Sequence, residues 1–172
     1  MIILGIDPGT ATTGYGIIRK FKHRHSVRKR FGERARGRKE LKCVAYGAIK
    51  TSPQFSDAER LRQLQNQLNR IIREYQPDFL AVERLYFFKN AKTVISVAQA
   101  KGVVLLVAAK KKIPVLEFTP LQVKMAIVGY GRASKKQIQE MIKILLRLEK
   151  LPQPDDAADA LGIAVCCANL LR

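Results

Sequence analysis

Four acidic residues are spaced so that they could act as one chemical group. Asp7 closes a short apolar run and Glu83 closes another (Asp78-Phe79-Leu80-Ala81-Val82-Glu83). Asp156 and Asp159 stand three apart in an alanine-rich stretch near the carboxyl end. Acids that end neighbouring strands can converge at one edge of a sheet, and residues three apart on an α-helix share a face. Neither helix acid has a basic residue within a turn of it. Glu83 and Asp159 lie among apolar neighbours, where an idle charge would be costly. Such carboxylates repel one another unless a cation sits between them. Mg²⁺ suits the group, because it takes hard oxygen ligands and binds through a few carboxylates together with substrate phosphate. Two such ions about 4 Å apart would activate water and stabilise the leaving oxygen of an in-line attack on a phosphodiester.

Taken singly, each acid also has a plainer role. Asp7 before Pro8-Gly9 suits a turn, and Asp155 or Asp156 suits a helix N-cap. Asp155 and Asp159, four apart, share a helical face as well, so spacing leaves the helix ligand open between Asp155 and Asp156.

The elements that must carry these acids follow from apolar periodicity. Met1 to Asp7 is a short Ile-rich run ending in Pro8-Gly9, which predicts a buried strand running into a turn. Gly14 to Ile18 and Cys43 to Ile49 predict two more strands, making an antiparallel meander whose first strand is central. Asp57 to Tyr75 places Leu61, Leu64, Leu68, Ile71 and Ile72 at helical spacing, and Pro77 stops the helix. A fourth strand over Asp78 to Glu83 is followed by a helix from about Ala91 to Lys112 and a strand at Val115 to Phe118. Helices near Pro120 to Val128, Ser134 to Leu148 and Asp155 or Asp156 to Leu170 complete the chain. Three strands in succession followed by alternating helices and strands predict an α/β layer with a mixed sheet. A length of 172 residues fits one domain spanning 1–172.

Charge is the strongest compositional signal. The chain carries 32 Lys+Arg against 14 Asp+Glu, a net +18, and a polyanionic partner is the natural reading. Twelve of the basic residues fall between Arg19 and Lys42, with two Glu. Lys20 to Glu40 reads as a long hairpin extension or loop, either solvated or in contact with phosphates. A structural RNA binder would explain the charge equally well. Cys43, Cys166 and Cys167 form no ligand pattern and read as reduced packing residues, and His23 and His25 leave little from which to build a zinc site. No apolar run reaches about eighteen residues, and Met1 leads into the first strand without a charged leader, so no membrane span is expected and the cytoplasm is.

At this point the motifs resemble those of the RuvC family. Gly5-Ile6-Asp7-Pro8-Gly9-Thr10 with Thr13-Gly14-Tyr15-Gly16, then Ala81-Val82-Glu83, Lys89-Asn90-Ala91, Gln99-Ala100-Lys101-Gly102, Val123-Lys124, Val128-Gly129-Tyr130-Gly131 and Asp156-Ala157-Ala158-Asp159-Ala160-Leu161 occur in that family's order. The resemblance spans nearly all of the chain except the basic insert. It implies a ribonuclease-H-like α/β fold, a five-stranded mixed sheet flanked by helices. It also implies a homodimer that resolves four-way (Holliday) DNA junctions by paired Mg²⁺-dependent incisions leaving ligatable nicks, with Mn²⁺ able to substitute. Asp7, Glu83, Asp156 and Asp159 fall on the family's catalytic and metal-holding positions, two ions per site. Tyr86, Lys89, Lys124 and Lys135 fall on nucleic-acid contacts, Tyr86 where an aromatic ring can stack on an unpaired base. Partners implied are junction DNA and the RuvA and RuvB branch-migration proteins. The chain departs from the family in its longer, more basic insert and in the additional acid Asp155.

Other readings share parts of this pattern. The actin and sugar-kinase ATPases also begin at a strand-end DxGT, but they need two such domains. A ribonuclease-H-like nuclease for another branched or RNA-containing substrate is closer, and a non-catalytic junction binder would have no use for the acids. One fold hosts many functions, so the site must decide. The apolar helix from Ala91 to Val107 is the expected dimer contact.

Overall fold

The computed structural model describes residues 1–21, 40–84 and 91–171, with side chains in the segment beginning at Ala91 described from residue 94 onward. Most of the basic insert, together with Tyr86 and Lys89, lies outside the described residues.

Ile2–Asp7 forms β1, Thr12–Lys20 forms β2 and Leu41–Lys50 forms β3, joined as an antiparallel meander. Helix α1 (Asp57–Tyr75) follows, then β4 (Phe79–Glu83), α2 (Ala91–Lys110) and β5 (Val115–Phe118). The chain ends in α3 (Pro120–Val128), α4 (Lys135–Leu146) and α5 (Asp155–Leu170). The sheet order is β3-β2-β1-β4-β5, with β4 parallel to both β1 and β5. β1 is therefore the central strand, as its unbroken apolar run demands: Ile3, Leu4 and Ile6 are completely buried.

Alternation along the strands divides the core in two. Leu4, Ile6, Leu80 and Val82 face α1 and α2, where they meet Leu64, Leu68 and Val104. Ile3, Ala81 and Phe118 face the other way, onto α3, α4 and α5, among Val123, Ile142 and Leu161. Every residue of α5 from Ala160 to Ala168 is buried, and Cys166 and Cys167 are free thiols in that core. The helix starts are capped as their sequences require: Ser56 opens α1, and Thr119 with Gln122 and Ser134 with Gln137 form capping boxes at α3 and α4.

Two expectations need correction. Lys20 does not begin a loop: it is the last residue of β2, it is buried, and its ammonium donates to the carbonyls of Ala168, at 2.7 Å, and Leu171. A long side chain at a strand end can reach the carbonyls that a helix leaves unpaired at its carboxyl terminus, where positive charge is favoured. Nor does Asp155 cap α5. Pro154 occupies the N-cap without a side-chain hydrogen bond, and Asp155 is the first helical residue.

Candidate active site

Parallel pairing of β1 with β4 brings two of the acids to one sheet edge. Ile6 is in register with Val82, so Asp7 and Glu83 follow as the next residue on each strand. Both belong to the alternation that faces α5. The helix reaches them because the strands opposite it carry glycine. A Cβ on Gly5 would lie 2.1 Å from the Ala160 carbonyl oxygen, and one on Gly14 would lie 2.0 Å from that of Asp156. Only glycine permits so close an approach of helix backbone to strand, with the small side chains of Ala157, Ala158 and Ala160 completing the contact. Gly14 is itself the register partner of Asp7, so the first turn of α5 is laid beside Asp7.

The result is a pocket of about 230 Å³ lined by Asp7, Glu83, Asp159, Lys124 and Lys135, with Val123, Ile138 and Ile163 as apolar wall. Asp156 does not line it but lies close enough for its charge to act on Asp7. Burial, then the charges of Asp159, Glu83 and Asp156, push the Asp7 carboxyl up from 3.8 to about 7. Burial and Asp159 likewise raise Glu83, with Lys101 opposing them. Burial raises Asp159 too, against the pull of Lys135. Three acids that each resist ionisation in one another's presence form a site that a cation would relieve.

Asp155 behaves differently. Its carboxylate accepts from Gln139 Nε2 at 3.0 Å and lies 3.3 Å from Lys135 Nζ, and that contact, with Gln139, holds it below the usual carboxylate range. It faces α4, whereas Asp156 faces the sheet.

The expectation that the helix acids stand without a basic neighbour is overturned for Asp159 by a residue distant in sequence. Lys135 Nζ is 3.1 Å from Asp159 Oδ2 as well as close to Asp155. The first residue of α4 thus puts an ammonium on the outer side of the carboxylates. Lys124 Nζ, which also lines the pocket, donates to the Ala133 carbonyl at 3.1 Å, two residues before Lys135. Tyr86 and Lys89, the other two expected nucleic-acid contacts, lie outside the described residues.

The donor set is oxygen only, which fits a hard divalent ion such as Mg²⁺ and fits soft metals poorly. Among the described residues, no three acids, histidines or cysteines draw close enough to enclose an ion by themselves. One feature near the site escaped the sequence reading: Lys101 Nζ of α2 is 2.7 Å from Glu117 Oε2 of β5. Its signal in the sequence was Lys101 within Gln99-Ala100-Lys101-Gly102, a charge in the middle of a mostly apolar helix.

Comparison with known proteins agrees with this geometry. The family model described as crossover junction endodeoxyribonuclease RuvC matches residues 3–167. A crossover junction endodeoxyribonuclease RuvC from Syntrophomonas wolfei is 49% identical over 172 residues, covering 100% of this chain and 91% of that protein. One from Alkaliphilus metalliredigens is 50% identical over 169 residues, covering 98% of this chain and 93% of that protein. Among solved structures, Thermus thermophilus RuvC in complex with a Holliday junction substrate superposes with a TM-score of 0.81 at 30% identity, covering 96% of this chain and 92% of that one.

Proposed function

The chain belongs to the RuvC family of crossover junction endodeoxyribonucleases, with its ribonuclease-H-like fold, and we propose that it resolves Holliday junctions through divalent ions held by Asp7, Glu83, Asp156 and Asp159. The observation that carries the chemistry is the meeting of Asp7 and Glu83 at adjacent parallel strand ends with Asp159 across one pocket, in a chain of net charge +18. So many acids at one point of a basic protein serve a cation, and the surrounding charge serves a polyanion.

Mg²⁺ is the ion the oxygen donors favour, with Mn²⁺ able to replace it. When bound, the ions would supply Lewis acidity toward the scissile phosphate and make the attacking water a better nucleophile. Asp7, on the central strand beside Glu83 and the first turn of α5, would serve both ions. Lys124 and Lys135, which line the pocket, offer ammonium groups to phosphate oxygens. Lys135 holds Asp159 and Asp155 until the substrate competes for it. Asp155, engaged by Gln139 and Lys135, supplies outer charge rather than a ligand.

A junction must be cut in two strands, and a two-fold homodimer supplies two sites related as those strands are. Ile95 and Leu106 are exposed apolar residues on α2, which supports that helix as the contact. The basic insert and Lys89 add phosphate contacts, and Tyr86 stacks on an unpaired base at the junction centre. RuvA and RuvB are the branch-migration partners on this reading, and the cytoplasm is where such DNA is met. Among the described residues no helix is long and apolar enough to cross a membrane.

The test is incubation with a labelled four-way junction, a flap and an RNA:DNA hybrid, each with and without Mg²⁺. Paired symmetric cuts in the four-way junction alone, only with Mg²⁺, are the expected result. Preferred cutting of the flap or hybrid would transfer the protein to another nuclease class, and binding without cutting would make it a junction-binding module.

A further inference from the structure

Lys101 is a buried charge that the chemistry above does not use. Its neighbours Ala100 and Val104 on α2 are fully buried, and its own side chain is only 10% exposed. Its Nζ is held 2.7 Å from Oε2 of Glu117. Glu117 is the register partner of Val82, and Phe118 that of Glu83. Paired residues on parallel strands share a face, so Glu117 points toward α2 while Glu83, the next residue along β4, points toward α5. The ion pair therefore lies directly behind the sheet edge that presents Glu83.

A second contact ties the same helix to the other strand end. Thr10, three residues beyond Asp7, donates its hydroxyl to the Ser96 carbonyl at 2.6 Å. The chain leaving Glu83 must also rejoin α2 at Ala91. Where α2 is fastened thus bears on both β1 and β4 at the edge where their acids meet. A buried ion pair is weak evidence for stability as such, because desolvation offsets much of its attraction. Its position calls for another role.

We propose that Lys101, through Glu117, is a positioning residue that clamps α2 to the β4–β5 edge and so fixes Glu83 in the geometry that holds an ion with Asp7. The proposal rests on the reading of the pocket as a metal-dependent nuclease site. The Lys101 charge also favours the ionised form of Glu83, in the same direction as the placement.

Single-turnover cleavage of a four-way junction across an Mg²⁺ titration tests it, with junction binding and thermal unfolding measured alongside. Loss of a residue supporting metal ligands typically costs ~10–100-fold, so Lys101→Met should lower the rate and raise the Mg²⁺ needed for half-maximal cutting by about that much, with junction binding unchanged. Lys101→Arg, which keeps the charge pair, should recover most of both. The double variant Lys101→Met/Glu117→Leu removes the stranded carboxylate and should regain stability while staying slow and demanding more Mg²⁺. A stable double variant with the wild-type rate and half-saturation would overturn the proposal. So would a loss of rate that is the same at every Mg²⁺ concentration and follows only the fall in Tm. Absence of cutting by the wild-type protein in the same assay would defeat the nuclease reading instead.

Discussion

The carbonyl oxygen of Asp156 occupies the space that any side chain on Gly14 would need, 2.0 Å from an ideal Cβ. Because Gly14 is also the register partner of Asp7, this contact sets the distance between the α5 acids and the central strand. Gly14→Ala should push the first turn of α5 outward. Overpacking of this kind typically costs ~1–3 kcal/mol of stability, and cleavage should fall further than the loss of folded protein explains. Gly102→Ala is the control. Its Cβ meets nothing within 4 Å, and inside a helix the change should stabilise by up to about 1 kcal/mol. Equal unfolding midpoints and equal rates for wild type and Gly14→Ala would show that the contact does not hold the site.

Asp155 and Asp156 should separate cleanly in single-turnover cleavage. Asp156→Asn removes a charge that acts on Asp7 and should abolish cutting while leaving junction binding intact or tighter, since the substrate is polyanionic. Asp155→Asn removes a carboxylate already engaged by Gln139 and Lys135 and should change the rate little. A dead Asp155→Asn beside an active Asp156→Asn would reverse the assignment.

Stability of the metal-free protein should depend on pH through Asp7. Its carboxyl is raised from 3.8 to about 7 in the folded state, so across that window the native protein holds a proton that the unfolded chain has released. Unfolding free energy then falls as pH rises through the window. Urea midpoints of wild type and Asp7→Asn, compared at several pH values, isolate the effect. The variant should gain on the wild type as pH approaches about 7, and Mg²⁺ should close the gap by favouring the ionised form. A difference that does not vary with pH would contradict the placement of Asp7 among buried acids.

Lys20 should act in stability and not in DNA binding. Lys20→Met leaves the Ala168 and Leu171 carbonyls at the end of α5 without their donor, at a cost of roughly 1–3 kcal/mol. The salt dependence of junction binding should not change, because that slope counts phosphate contacts. An unchanged urea midpoint with a flatter salt slope would return Lys20 to the basic insert.

Much of this architecture is legible in the sequence, for reasons that particular residues make plain. The apolar run Ile2 to Ile6, closed by Pro8-Gly9, reads as a buried strand, and the leucine spacing of α1 reads as helical. Asp7 and Glu83 announce themselves by ending such runs. What spacing could not give were pairings between residues far apart in the chain. Lys135 beside Asp159, Glu117 beside Lys101 and Lys20 at the end of α5 each join elements whose meeting depends on the finished packing. Lys20 was masked by its company: in a run of cations, one buried lysine looks like the rest. The choice between Asp155 and Asp156 was likewise invisible from spacing, because it turns on which side of α5 meets the glycines of β2.

The central claim, that the acids round Asp7 hold the divalent ions that cut junctions, is tested most directly by single-turnover cleavage of a four-way junction by Asp7→Asn across a Mg²⁺ titration. The substitution keeps size and removes the charge a hard cation requires. The expected result is undiminished junction binding with no paired incisions at any Mg²⁺ concentration, while the wild-type protein cuts symmetrically and leaves nicks a ligase can seal. Cleavage by Asp7→Asn at the wild-type rate and the same Mg²⁺ half-saturation would contradict it.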